Sequence, residues 1–116
     1  MSRLRTVPPS EWRQFFDRMS KALRQGTRAE IEVASPELGD QVMAEWVPMI
    51  GVTYDSKDDL LDVALDGIDH LVYHPKEIAV EEGTDGLHSI AVTAADGSRN
   101  FVRLKEPLLF PSASAR

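Results

Sequence analysis

The sequence predicts an α+β protein: one N-terminal amphipathic helix packed on a strongly bent, mostly antiparallel sheet of six or seven short strands. Two observations predict it. Apolar residues repeat with helical spacing from Glu11 to Gln25 and then alternate with polar ones from Ala29 onward. The helix also carries an aromatic stripe that must be buried, and one face of such a sheet is the only large apolar surface the other residues supply.

Pro8 and Pro9 precede the helix, Ser10 is its expected N-cap and Gly26 its expected left-handed stop. Trp12, Phe15, Phe16, Met19, Ala22 and Leu23 share one face; Arg13, Gln14, Asp17, Lys21 and Arg24 take the other. Helical spacing makes the stripe core and not a cofactor-binding box. Ala29, Ile31 and Val33 alternate with Glu30 and Glu32 as a strand with one wet face. Ser35-Pro36-Glu37-Leu38-Gly39-Asp40 is a turn, and Val42 to Val47 a second strand. Pro48 cannot donate to a ladder, so it marks an edge, bulge or break before Val52 and Tyr54 resume extended structure. Residues 58–66 read two ways. Leu61, Val63 and Leu65 alternate as in a strand, whereas Ser56, Asp59, Leu60 and Ala64 fit a capped helix. Ile68 to His74 is a strand closed by Pro75, and Ile78 with Val80 forms a short one. Ile90 and Val92 lead through the hairpin signal Asp96-Gly97 to Phe101, Val102 and Leu104, with Arg99 and Arg103 on one face. Pro107 and Pro111 fence Leu108-Leu109-Phe110, either folded back or exposed for a second copy. Residues 1–116 read as a single domain, with 1–8 and 112–116 as loose ends. A small closed Sm-like barrel, which also begins with a helix, is the alternative architecture.

Glu11-Trp12, Phe15-Phe16-Asp17, and Glu32-Val33 leading into Ser35-Pro36-Glu37-Leu38-Gly39 resemble the opening of a bacterial family catalogued only as a domain of unknown function. Pro48 with Gly51, Asp69-His70, Pro75, Ala95-Asp96-Gly97, Arg103 and Pro107 continue the resemblance, from about Val7 to Phe110. The family pattern is β-like at Asp62 to Leu65, which favours strand for the ambiguous segment, although Leu60, Leu61 and Ala64 depart from it. The resemblance implies no activity, cofactor or catalytic residue.

The chain has 116 residues, no cysteine and a net charge of −6. Disulfides, zinc–thiolate sites, iron–sulfur clusters and cysteine nucleophiles are therefore excluded. No apolar run has membrane-spanning length, and Met1 to Ser10 lacks the apolar core of a signal peptide, so a soluble, cytoplasmic protein is expected. Charge is segregated: +5 over residues 1–28, −14 over 29–96 and +3 over 97–116. The acidic middle repels phosphate, which argues against duplex nucleic acid and anionic membrane as its partners. The same layout suits a cationic protein partner or a homodimer.

No catalytic constellation survives inspection. His70 and His74 have a ligand-like spacing, but on a strand they stand roughly 13 Å apart, too far for one ion. His88 joins one of them only if a neighbouring strand brings it there. Asp55, Asp58, Asp59, Asp62, Asp66 and Asp69 lack the central glycine and distal glutamate of a calcium loop. Asp85, His88 and Ser89 are triad residue types without a nucleophile elbow, and His88 and Ser89 point to opposite faces of a strand. Trp46 is expected in a core or interface. No catalytic, cofactor or metal residue is assigned. The leading function is a non-enzymatic accessory or protein-interaction domain. The alternative is a small-molecule binding domain or enzyme, with Trp12, Trp46, Tyr54 and Tyr73 walling a pocket between helix and sheet. A third reading is single-stranded RNA held by the basic helix face.

Overall fold

The computed structural model describes residues 2–110. Strand β1 (Arg3–Val7) leads through a 3-10 turn (Pro9–Glu11) into helix α1 (Trp12–Ala22). Seven strands follow: β2 (Arg28–Ser35), β3 (Gly39–Asp55), β4 (Leu60–Leu65), β5 (Ile68–Tyr73), β6 (Pro75–Gly83), β7 (Gly86–Ala94) and β8 (Arg99–Leu108). With β1 these make eight strands in one antiparallel sheet, in the order β1-β6-β7-β8-β2-β3-β4-β5. The end strands β1 and β5 are not paired with one another, so the α+β architecture is an open, bent sheet and not a closed barrel. Among the described residues no helix is long and apolar enough to cross a membrane.

Eight strands replace the six or seven expected. Residues 3–7, read as part of a loose end, pair with β6 from Arg3↔Glu82 to Val7↔Ile78. The loose end expected at 112–116 lies outside the described residues. The ambiguous stretch 58–66 resolves as strand over Leu60–Leu65 with turn on either side, because β4 is laddered on both edges and buries Leu61, Val63 and Leu65.

The bend comes from β3, a single strand of 17 residues in place of the two predicted. Against β2 it runs one residue longer between Ala44 and Val47, where Trp46 adopts φ 53°. Against β4 it again runs one residue longer between Met49 and Gly51, leaving Ile50 exposed. These bulges flank Pro48 and let β3 pass from one half of the sheet to the other. Trp46 is half-buried at this corner and is not part of the main core. The chain turns back at His74 (φ 54°), the one residue between β5 and β6.

Helix α1 lies against β3 and buries Trp12, Phe15, Phe16 and Met19, as the stripe predicts. Its ends differ from expectation. Ser10 falls inside the 3-10 turn and makes no cap, while Leu23 already has extended geometry. Gly26 (φ 96°) therefore serves the turn before β2, where Thr27 N–H donates to the Arg24 carbonyl at 3.0 Å. The Trp12 indole N–H donates to the Val7 carbonyl at 2.8 Å and ties helix to β1. Past Pro48, β3 no longer pairs with β2, and Ser20 of α1 covers its open edge. The Ser20 hydroxyl accepts from Val52 N–H (2.9 Å) and donates to the Val52 carbonyl (2.8 Å). One side chain thus satisfies both backbone groups of a buried residue.

Leu108 is buried, and the Phe110 ring meets Phe15 edge-on at 5.5 Å, so the C-terminal apolar segment folds back over the helix. Only Leu109 of the three stays exposed, at 72%.

Candidate functional site

Directly paired residues on neighbouring strands point to the same face. The outward rows across β3, β4 and β5 are therefore Thr53–Asp62–Leu71, Gly51–Ala64–Asp69 and Asp55–Leu60–Tyr73. The inward rows, Val52–Val63–His70 and Tyr54–Leu61–Val72, enter the core or its margin. β5 ends the sheet, so no strand is hydrogen-bonded along one of its backbone edges. Along that edge Leu71 is 40% exposed and Tyr73 58%, with Ile68 partly exposed at its start. Asp62 stands directly opposite Leu71, Asp69 shares that face two residues earlier and Asp66 sits in the β4–β5 turn, and none of the three has a cationic partner among the described residues. Asp62 is the most constrained. Its Oδ1 is buried without a hydrogen-bond partner, and burial together with the Asp69 charge raises its pKa. The face offers a free ladder, apolar anchors and uncompensated negative charge in one place.

A second cluster locks the adjoining corner. The Tyr54 hydroxyl donates to Asp59 Oδ1 at 2.7 Å, and His74 Nδ1 lies 3.2 Å from Asp59 Oδ2. The His74 N–H donates to the Asp59 carbonyl at 2.8 Å, joining two non-glycine residues that both have positive φ. Burial and the bond to Asp59 push the Tyr54 hydroxyl up to about 12. The bonds from Tyr54 and His74 hold Asp59 below the ordinary carboxylate range. These bonds keep the tyrosine protonated and the aspartate ionised, as a hydroxyl-to-carboxylate hydrogen bond requires. Together they pin the β3–β4 turn against the β5–β6 corner and hold the positive-φ backbone at Asp59 and His74.

A model of the family of unknown function DUF5335 matches residues 4–113. The chain belongs to that family. The residues that resemble a domain of unknown function all fall within this match. An uncharacterized protein of Aquifex aeolicus (strain VF5) is 38% identical over 108 residues, covering 92% of this chain and 96% of that protein. No solved structure matches.

In this DUF5335 chain the candidate catalytic residues go to separate partners. His70 Nε2 lies 2.9 Å from Asn100 Oδ1, across the bend from β5 to β8, while His74 is held by Asp59. His88 meets Asp85 at 2.7 Å, but the Ser89 hydroxyl donates to Glu81 at 3.2 Å, so this serine and histidine do not form a nucleophile–base pair. Arg103 binds Glu32 at 2.8 Å and Glu30 at 3.3 Å, and Arg99 and Arg103 flank the Phe101 ring on the outer sheet face. The four aromatics expected to wall one pocket do not converge. Trp12 and Tyr54 pack edge-on with centroids 5.1 Å apart, Tyr73 stands on the outer face, and Trp46 sits at the β3 bulge.

Sequence reasoning missed Asn100 and the role of Asp59. Asn100 is 4% exposed, its Nδ2 donates to the Val92 carbonyl at 3.3 Å, and its Oδ1 faces His70. Its one sequence signal is a polar residue at an inward position of an alternating strand, two before Val102 and four before Leu104.

Proposed function

We propose that this chain is a soluble, cytoplasmic, non-enzymatic protein-interaction domain that receives an extended segment of a partner along β5. The observation that carries the reading is the free β5 edge with Leu71 and Tyr73 exposed beside the unpaired carboxylates of Asp62, Asp66 and Asp69. Long exposed apolar edges are aggregation hazards that natural proteins cover or charge. Here the charge is of one sign, so it repels a second β5 and attracts a cationic strand. The partner segment would add a ninth strand, with main-chain hydrogen bonds for affinity and alternate side chains for selectivity. Its favoured sequence alternates basic and apolar residues: the basic ones lie on the outer face, where their charges reach Asp62 and Asp69 and their methylenes cover Leu71 and Tyr73, and the apolar ones turn to the inner face beside Ile68 and Val72.

Calorimetry with a synthetic peptide alternating arginine and valine tests this. The wild-type chain should bind it with an affinity that falls as salt rises. Leu71→Lys, which places a like charge and removes an apolar anchor, should abolish binding. Equal binding by that variant, or equal binding of a glutamate–valine peptide, would refute the reading. A chain that self-associates through β5 and excludes the peptide would identify a homodimer surface in its place.

A further inference from the structure

Cations gather at a different surface, where the turn between α1 and β2 meets the end of β8. A groove of about 400 Å³ there is lined by Arg24, Arg28, Lys105 and Leu109 among others, with Glu106 its one acidic residue. The turn holds its shape through the Thr27–Arg24 backbone bond and a bond from Arg24 N–H to the Thr27 hydroxyl at 3.2 Å. Arg28 Nη1 donates to the Trp46 carbonyl at 3.1 Å, which orients the guanidinium and leaves further N–H groups free. Arg5, Lys21 and Arg103 each have a carboxylate partner, whereas Arg24, Arg28 and Lys105 have none among the described residues. Leu109, 72% exposed, supplies an apolar wall beside these charges.

We propose that this groove binds a phosphate monoester carrying an apolar body. Guanidinium forks and an ammonium match a phosphate dianion in charge and geometry, and three cations exceed what one carboxylate needs. Leu109 then loses water against the apolar body. Glu106 opposes a long polyanion, which separates this ligand from a nucleic-acid strand.

The experiment is a titration of the isotope-labelled full chain with butyl phosphate at low ionic strength, followed by NMR. Shifts should concentrate at residues 24–28 and 105–109. Arg24→Gln and Lys105→Gln should each weaken binding about tenfold, the factor that one lost charge-assisted hydrogen bond represents. Leu109→Ser should weaken butyl phosphate but leave inorganic phosphate unchanged. All three side chains are exposed, and an unchanged urea midpoint checks that each variant folds. The proposal is overturned by no shifts at millimolar butyl phosphate, by shifts centred elsewhere in the wild-type chain, or by pentanoate binding equally well. An RNA oligonucleotide that binds the groove while butyl phosphate fails to compete would overturn it in favour of nucleic acid.

Discussion

Replacing Ser20 by alanine isolates one hydroxyl that closes the edge of β3. In the native chain it bonds both the N–H and the carbonyl of Val52, at 2.9 and 2.8 Å, and Val52 itself is buried. A typical neutral hydrogen bond contributes about 0.5–1.5 kcal/mol net, and a buried group left unpaired costs about 1–3 kcal/mol. Two effects reduce the loss. Ser20 lines a groove of about 410 Å³ beside Arg13, Gln14, Asp17 and Thr53, so water can reach part of the exposed edge. Alanine is also the better helix former, by about 0.5 kcal/mol. The balance is a destabilisation of roughly 1–3 kcal/mol, or about 1 M in the urea midpoint for a small domain. Urea denaturation followed by circular dichroism measures it, with Arg18→Ala as the exposed control. Amide exchange at Val52 should accelerate in the same variant. A midpoint shift no larger than that of the control would refute the idea that this hydroxyl holds helix and strand together.

Phe15 is fully buried between Phe16 and Phe110, so Phe15→Ala should cost about 3–5 kcal/mol in the same assay. Lys21→Ala should change stability by less than about 0.5 kcal/mol, because its Asp17 pair stands in solvent. Gly86 has φ 120° and a Cβ there would lie 2.5 Å from the Leu108 carbonyl oxygen, so Gly86→Ala should destabilise by more than about 1 kcal/mol. Its thermal midpoint should fall well below that of an alanine at Gly67, where no atom lies within 4 Å. Asp62 has a folded pKa raised by burial and Asp69, so its ionisation opposes folding. Asp62→Asn should therefore stabilise at neutral pH, with the gain disappearing as pH falls through the raised pKa toward the ordinary value of 3.8. A gain independent of pH would show that the charge is not its cause.

Helix α1 was legible because one aromatic stripe at helical spacing admits a single buried face, and Trp12 to Met19 occupy it. β4 needed tertiary context: Leu60-Leu61-Asp62-Val63-Ala64-Leu65 satisfies both periods, and pairing with β3 and β5 decides between them. β1 escaped notice because Arg3 to Val7 offers only two large apolar side chains and its partner β6 lies some seventy residues away. The corners were hidden for a different reason. Positive φ is unfavourable for a bulky residue such as Trp46, and although Asp and His reach it more often than most residues, nothing local singles out Asp59 and His74, whose geometry is fixed by the bonds between them. The β5 face followed in part. The acidic alternation was visible, but that β5 ends the sheet, and that Leu71 and Tyr73 face outward beside Asp62, depends on strand order.

The central claim, that β5 is a docking edge, is tested most directly by mapping where the arginine–valine peptide touches the isotope-labelled chain. On peptide addition, amides of residues 68–73 should shift and gain protection from hydrogen exchange, with smaller changes at Asp62 and Ala64 on β4. Peptide-induced shifts confined to α1, or to β1 at the opposite end of the sheet, with β5 amides exchanging as before, would contradict it.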